Sequence, residues 1–283
     1  MRKTLPIRRI WLCADDYGMA PGVNDAIRQL IAKRRINATS VMMPTGYLGN
    51  GEAQALAALN GPEANEPRAA IGLHVTLTAP FQPMSTGFAP LRDGAFPPIN
   101  EMMKLAMTRR LSEAPLAAEI AMQLRAFIDL FGRAPDFLDG HQHVHLLPQV
   151  RNAFLKVAGD MAPNAWVRQC GRARAGRMVH DRKSLVLDVL SLGFKSQAAR
   201  HGLTTNPAFA GAYAFTPKAR FSKLFPRFLN GLPDGGLIMC HPGFVDAELI
   251  ALDSLTTLRE HEFAFFNSDA YLKVMAEHHV ALA

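Results

Sequence analysis

Ile10-Trp-Leu-Cys-Ala-Asp-Asp-Tyr-Gly18 is the stretch on which the fold turns. Its first half, Ile10 to Ala14, is an apolar run of strand length, and it ends abruptly in two carboxylates. Beyond it, Gly22 to Arg35 carries apolar residues at Val23, Ala26, Ile27, Leu30 and Ile31, the spacing of one helix face. A buried strand with a polar end, followed at once by an amphipathic helix, is a βα unit.

The alternation continues along the chain. Strands are predicted over Ala38 to Met43, Ala70 to Thr78, Asp136 to Leu147, Ala165 to Gln169, Gly236 to Cys240 and Val280 to Leu282. Helices are predicted over Glu52 to Leu59, Leu116 to Phe131, Val150 to Met161, Asp181 to His201 (one long amphipathic helix) and Phe221 to Leu232, with one or two more in Leu255 to His279. Pro80 to Pro98 and Asn206 to Pro217 read as irregular connections rich in Pro and Gly. Repeated βα units predict the α/β class and a mainly parallel sheet. Their number favours a TIM-barrel-like (β/α) barrel, distorted or incompletely closed, over a doubly wound sheet. No composition break marks a linker, so residues 1–283 are expected to form a single domain.

Of the 283 residues 49% are hydrophobic and 19% charged, which supplies a sizeable core and excludes disorder over the whole chain. The net charge of +7 raises nucleic acid as a partner, but the cations are scattered and no nucleic-acid motif accompanies them. The densest runs are Lys33-Arg34-Arg35, where cations complement a helix C-terminus, and Arg172 to Arg182, read as a solvated loop. Cys13, Cys170 and Cys240 are too few and too far apart for a disulfide framework or a Cys-rich zinc site. Neither a secretory signal nor an apolar run of ~18–20 residues is evident, so a cytoplasmic protein without stable membrane insertion is expected. A homodimer is the base-rate expectation for such an enzyme.

The ionisable residues fall where strands end. Asp15 and Asp16 follow the first strand, His74 interrupts the third, and Asp139-Gly-His-Gln-His-Val-His145 closes the fourth. Arg168 lies in the next short strand, and His241 follows Leu237 to Cys240. In parallel β/α folds these ends share one face, where sites form. An Asp-Asp pair is common in turns for backbone reasons, and a lone histidine in a strand is more often a packed one. If the chain from Asp139 stays extended, His141, His143 and His145 lie on one face. Imidazole is the commonest metal ligand, and two histidines with one carboxylate describe an open, catalytic divalent site. Gly72 permits close backbone approach beside His74.

On these residues the chain resembles the YdjC-like carbohydrate deacetylase family, also called the chitooligosaccharide deacetylase and hopanoid-biosynthesis-associated family. The matching stretches are Ala14-Asp-Asp-Tyr-Gly18, Gly72-Leu-His-Val-Thr-Leu77, Phe131-Gly-Arg-Ala-Pro135, Asp139-Gly-His-Gln-His143 and Met239-Cys-His-Pro242. They keep the family's order over nearly the whole chain, and Asn206 to Gly211 is similar to a segment of its longer members. The resemblance implies a TIM-barrel-like fold and removal of an acetyl group from an N-acetylated sugar or sugar conjugate. It implies one divalent metal ion, magnesium or zinc before others, held by Asp16, His74 and His141. It makes Asp15 the base that activates water, His241 the acid for the departing amine, and Arg168 a group that holds Asp15. Asp139 and His143 would support the ligands from behind, and His145 would pack or line the rim. Gly140 departs from the Ser familiar in the sugar-oligomer branch. A metal-dependent lyase or isomerase on the same barrel, and a non-catalytic sugar-binding protein, are the alternative readings.

Overall fold

The computed structural model describes residues 6–60, 69–173 and 182–283. The chain opens with β1 (Arg8–Tyr17), α1 (Pro21–Ala32), β2 (Ala38–Val41), α2 (Asn50–Ala58), β3 (Ala70–Val75), α3 (Ile99–Met107) and α4 (Glu113–Phe131). It continues with β4 (Phe137–Gly140), α5 (Pro148–Met161), β5 (Trp166–Val167), α6 (Arg182–Leu190), α7 (Phe194–Arg200) and β6 (Phe209–Ala210). It closes with α8 (Phe221–Leu229), β7 (Leu237–Cys240), α9 (Ala247–Leu252), α10 (Thr257–Phe266), α11 (Asp269–Glu277) and β8 (Val280–Leu282).

Every strand pairing is parallel, in the order β5-β4-β3-β2-β1-β7-β6, and β8 pairs the start of β1. The strands β2, β3, β4 and β7 are buried at every position, as strands covered on both faces must be. α1 lays Val23, Ala26, Ile27, Leu30 and Ile31 into the core, the stripe its spacing predicts. Gly72 has a packing reason: a Cβ there would stand 2.5 Å from the Phe137 ring of the neighbouring strand.

The sheet curls until its two edges meet, and the fold is the predicted distorted, incompletely closed barrel. The seam holds one isolated parallel bridge, Val167 to Thr205. The Asn206 side chain continues it: its Oδ1 accepts from the Gln169 N–H at 2.9 Å, and its Nδ2 donates to the carbonyls of Gln169 (3.0 Å) and Ala208 (2.9 Å). A side-chain amide thus stands in for the ladder that would complete the ring.

Three expectations change. The strand expected over Asp136 to Leu147 stops at Gly140, and His141–Leu146 forms a tight 3₁₀ turn. Gln142 (φ 52°) and His143 (φ 60°) take the left-handed conformation there, because the chain must reverse onto α5, which starts at Pro148. The alternation that would have put His141, His143 and His145 on one face therefore does not apply. The single helix expected over Asp181 to His201 is two, α6 and α7, broken at Gly193 with φ 74°. The helices α3 and α9 and the two-residue strand β6 lie where no element was expected. Of the Arg172 to Arg182 run, Arg172 is held by Asp188 at 2.8 Å, and 174–181 fall outside the described residues. Among the described residues no helix is long and apolar enough to cross a membrane.

Candidate active site

The strand ends gather the expected side chains at one mouth. Asp15 and Asp16 end β1, His74 and Asp139 lie near the ends of β3 and β4, and His141, Arg168 and His241 directly follow β4, β5 and β7. Asp16 has φ 74°, and the β1–β2 register slips between Ala14 and Tyr17. That irregularity turns the two adjacent carboxylates in different directions.

Asp15, 2% exposed, is clamped by fully buried Arg168. Nη1 donates to Oδ2 at 2.7 Å and Nη2 to Oδ1 at 2.6 Å, while the Ser40 hydroxyl donates to Oδ1 at 3.1 Å. Burial by itself would push this carboxyl up, but the charge and hydrogen bonds of Arg168 outweigh it and hold Asp15 well below the usual range. Arg168 Nη2 also lies 2.5 Å from Asp139 Oδ2 and donates to Cys13 Sγ at 3.1 Å. Cys13, Asp15 and Asp139 are close enough together to hold a metal, but the guanidinium already stands among them as their cation.

Asp16 faces the other way. Its Oδ1 lies 3.0 Å from His141 Nδ1 and 3.4 Å from His74 Nε2, and its Oδ2 accepts from Arg259 Nη2 at 2.7 Å. Burial opposes its charge, and Arg259 with His141 overcomes that and holds it low. His74 is fixed from behind by Asp139 Oδ1, 2.6 Å from its Nδ1. Burial disfavours a charged His74, yet Asp139 and the Asp15 and Asp16 carboxylates push it up to about 10. Asp16, His74 and His141 each bring one ligand atom within 4.8 Å of the others. Two imidazoles and a carboxylate, with one imidazole oriented by a carboxylate behind it, are a fitting donor set for a divalent ion.

The three histidines of the turn go three ways. His141 meets Asp16. The His143 ring packs edge-on against Phe209, with Nδ1 3.6 Å from Cys170 Sγ. His145 is fully buried against Phe154 and Phe194, and its Nε2 donates to the Arg168 carbonyl at 2.9 Å. Burial pushes His145 down to about 4, so it is a neutral packing group that fixes the backbone of Arg168. A Cβ on Gly140 would stand 3.0 Å from His145 Nδ1, so the departure at this position makes room for that ring.

A cavity of about 510 Å³ opens over this floor. That is the size of a small-molecule site. Asp15, Asp16, His74 and His141 line it together with Phe215, His241 and the 253–259 segment. His241 packs edge-on to Phe215, and its backbone N–H donates to Glu262 Oε2 at 2.6 Å. Glu262 is buried on α10 and takes the Tyr213 hydroxyl on Oε1, also at 2.6 Å. Ser40, Arg259 and Glu262 were missed from sequence. Arg259 and Glu262 sit in a helical stretch where charges read as a solvated face, and a serine in a strand carries no signal.

Burial pushes Glu262 up to about 7 from the ordinary 4.5. The folded chain therefore keeps a proton that the unfolded chain gives up in that window. Stability is expected to fall as pH rises from 4.5 to about 7 and to stay lowered above it. Glu262→Gln should flatten that part of the profile, by up to about 3 kcal/mol. Denaturant titrations of both proteins from pH 5 to 8 check this, and parallel curves would contradict it.

A family model for YdjC-like proteins matches residues 9–277. A chitooligosaccharide deacetylase of Salmonella schwarzengrund (strain CVM19633) is 28% identical over 233 residues, covering 82% of this chain and 81% of the relative. A crystal structure from Enterococcus faecalis V583, described as a cellobiose-phosphate cleavage protein, superposes with a TM-score of 0.71 at 19% identity, covering 98% and 97% of the two chains. At that identity the likeness speaks for the fold.

Proposed function

Because the chain belongs to the YdjC-like family, we propose that it is a carbohydrate deacetylase, a hydrolase that removes an acetyl group from an N-acetylated sugar with one divalent metal ion. The observation that carries this reading is the divided floor. Asp16, His74 and His141 converge on one point while Asp15, beside them, is held by Arg168 and kept out of the cluster. In this reading residues 1–283 are one catalytic domain.

Asp16, His74 and His141 would hold the ion. When bound, it would polarise the amide carbonyl and acidify a water. Asp15 accepts the proton of the attacking water, and Arg168 keeps Asp15 ionised and aimed for it. His241, which lines the same cavity, donates a proton to the departing nitrogen so that the amine leaves neutral. Asp139 fixes the ring of His74, and Arg259 occupies the second oxygen of Asp16, leaving Oδ1 for the ion. The walls formed by Phe215 and the 253–259 segment hold the sugar and limit water.

Chitooligosaccharides are the first substrates to try, since the Salmonella relative is named for them. The test is acetate release from N-acetylglucosamine oligomers by protein stripped with chelator and resupplied with single metals. Release that vanishes on chelation and returns with zinc or magnesium is the expected result. Absence of release with every metal, from protein that demonstrably binds the ion, would move the reading to an isomerase or lyase, which frees no acetate.

A further inference from the structure

A second cavity of about 430 Å³ lies between α6, α8 and the segment 209–216. Its inner surface is apolar, formed by Leu187, Phe209, Leu224 and Phe228 with several alanines. Its rim is basic. Lys218, Arg220, Lys223 and Arg227 are exposed and have no ion-pair partner among the described residues. The described lining includes no carboxylate.

Beside it, α6 turns Leu187 inward and leaves Leu185 (45%), Val186 (48%) and Val189 (64%) exposed, with Leu192 (66%) just past its end. Leu185, Val186 and Val189 share one face of the helix. Large apolar side chains grouped in water mark a surface with a partner. An anionic polymer would satisfy the cations and leave the cavity and the α6 face empty. A neutral apolar ligand would fill the cavity and leave the cations unmatched. An amphiphile with an anionic head satisfies both.

We propose that this face docks on an anionic lipid bilayer. The four rim cations meet headgroup phosphates, the outer face of α6 lies at the acyl boundary, and the cavity takes up one apolar chain. The wall between the two cavities is thin. Cys170 and Phe209 line the second cavity and touch His143 of the first, and Tyr213 lines the second while stacking edge-on with Phe215 of the first. Docking therefore brings a lipid next to the catalytic cavity.

The test is flotation of the full chain with vesicles of phosphatidylcholine alone and of phosphatidylcholine with phosphatidylglycerol. Flotation is read without turnover, so it stands or falls apart from acetate release. Binding is expected only with phosphatidylglycerol and should weaken as salt rises. The double variant Lys223→Glu/Arg227→Glu should lose at least about tenfold in partitioning, with an unchanged melting temperature. Val189→Gln/Leu192→Gln should also weaken it. Equal partitioning into the two vesicle types, or wild-type partitioning of the charge-reversed variant, would overturn the proposal. A Leu224→Trp variant reads the cavity: acyl-brominated phosphatidylglycerol should quench its added emission. Quenching no greater than that of Trp11 and Trp166 in the parent would overturn chain uptake.

Discussion

An Asp15→Asn variant is expected to lose about 10²–10⁴ in turnover while still binding the divalent ion of the proposed reading. Asparagine keeps the shape of the side chain but cannot take a proton from water. Asp15 contributes no atom to the cluster of Asp16, His74 and His141, so metal content should not change. The amide NH₂ would face one of the two Arg168 donors that now reach Asp15, so a stability loss of about 1–3 kcal/mol should accompany the kinetic one. Turnover per bound metal, measured with metal analysis on the same sample, separates the two. Turnover equal to the parent would remove Asp15 from the role of base.

The second large effect concerns folding. Arg168 is fully buried and joins Asp15 to Asp139, themselves 2% and 0% exposed. Arg168→Met leaves two buried carboxylates without their common cation, a loss of about 3–5 kcal/mol. Native domains hold about 5–15 kcal/mol in all, so this is a large part of the total. The deficit should shrink in acid. The parent's Asp15, held low by Arg168, contributes stability above the ordinary 3.8 that is lost as pH falls through its folded value. In the variant burial raises the Asp15 carboxyl with no guanidinium to oppose it, so protonation relieves it. Melting temperatures of the two proteins should therefore be far apart at pH 7 and closer at pH 4–5. A constant small gap would show that the clamp carries little of the stability.

How much of this was legible follows from what each residue interrupts. Asp15, His74 and His241 stand out because a charged or polar group at the end of an apolar run costs burial energy that packing does not explain. The strands β1, β3 and β7 and the stripe of α1 were legible for the same reason, the apolar pattern with its period. The turn after β4 was not, because left-handed backbone at Gln142 and His143 serves the reversal onto Pro148 and leaves no mark in polarity. Nor was the pair Arg259 and Glu262, which α10 brings against Asp16 and the His241 backbone N–H. Asn206 lay in a stretch similar to one in related chains, but its work at the seam depends on Gln169, 37 residues away.

The two buried arginines also set the charge balance of the floor. Asp15, Asp16, Asp139 and Asp253 would together present four negative charges, and Arg168 and Arg259 cancel two of them. While the floor is empty, the proton that His74 holds offsets one of the remaining two. Metal ligands must be neutral imidazoles, so a divalent cation on this floor would displace that proton and cancel both charges. In the proposed reading, loading the ion should therefore release a proton to solution. The charge that gathers on an amide oxygen under attack would then meet the ion itself rather than a net-positive floor.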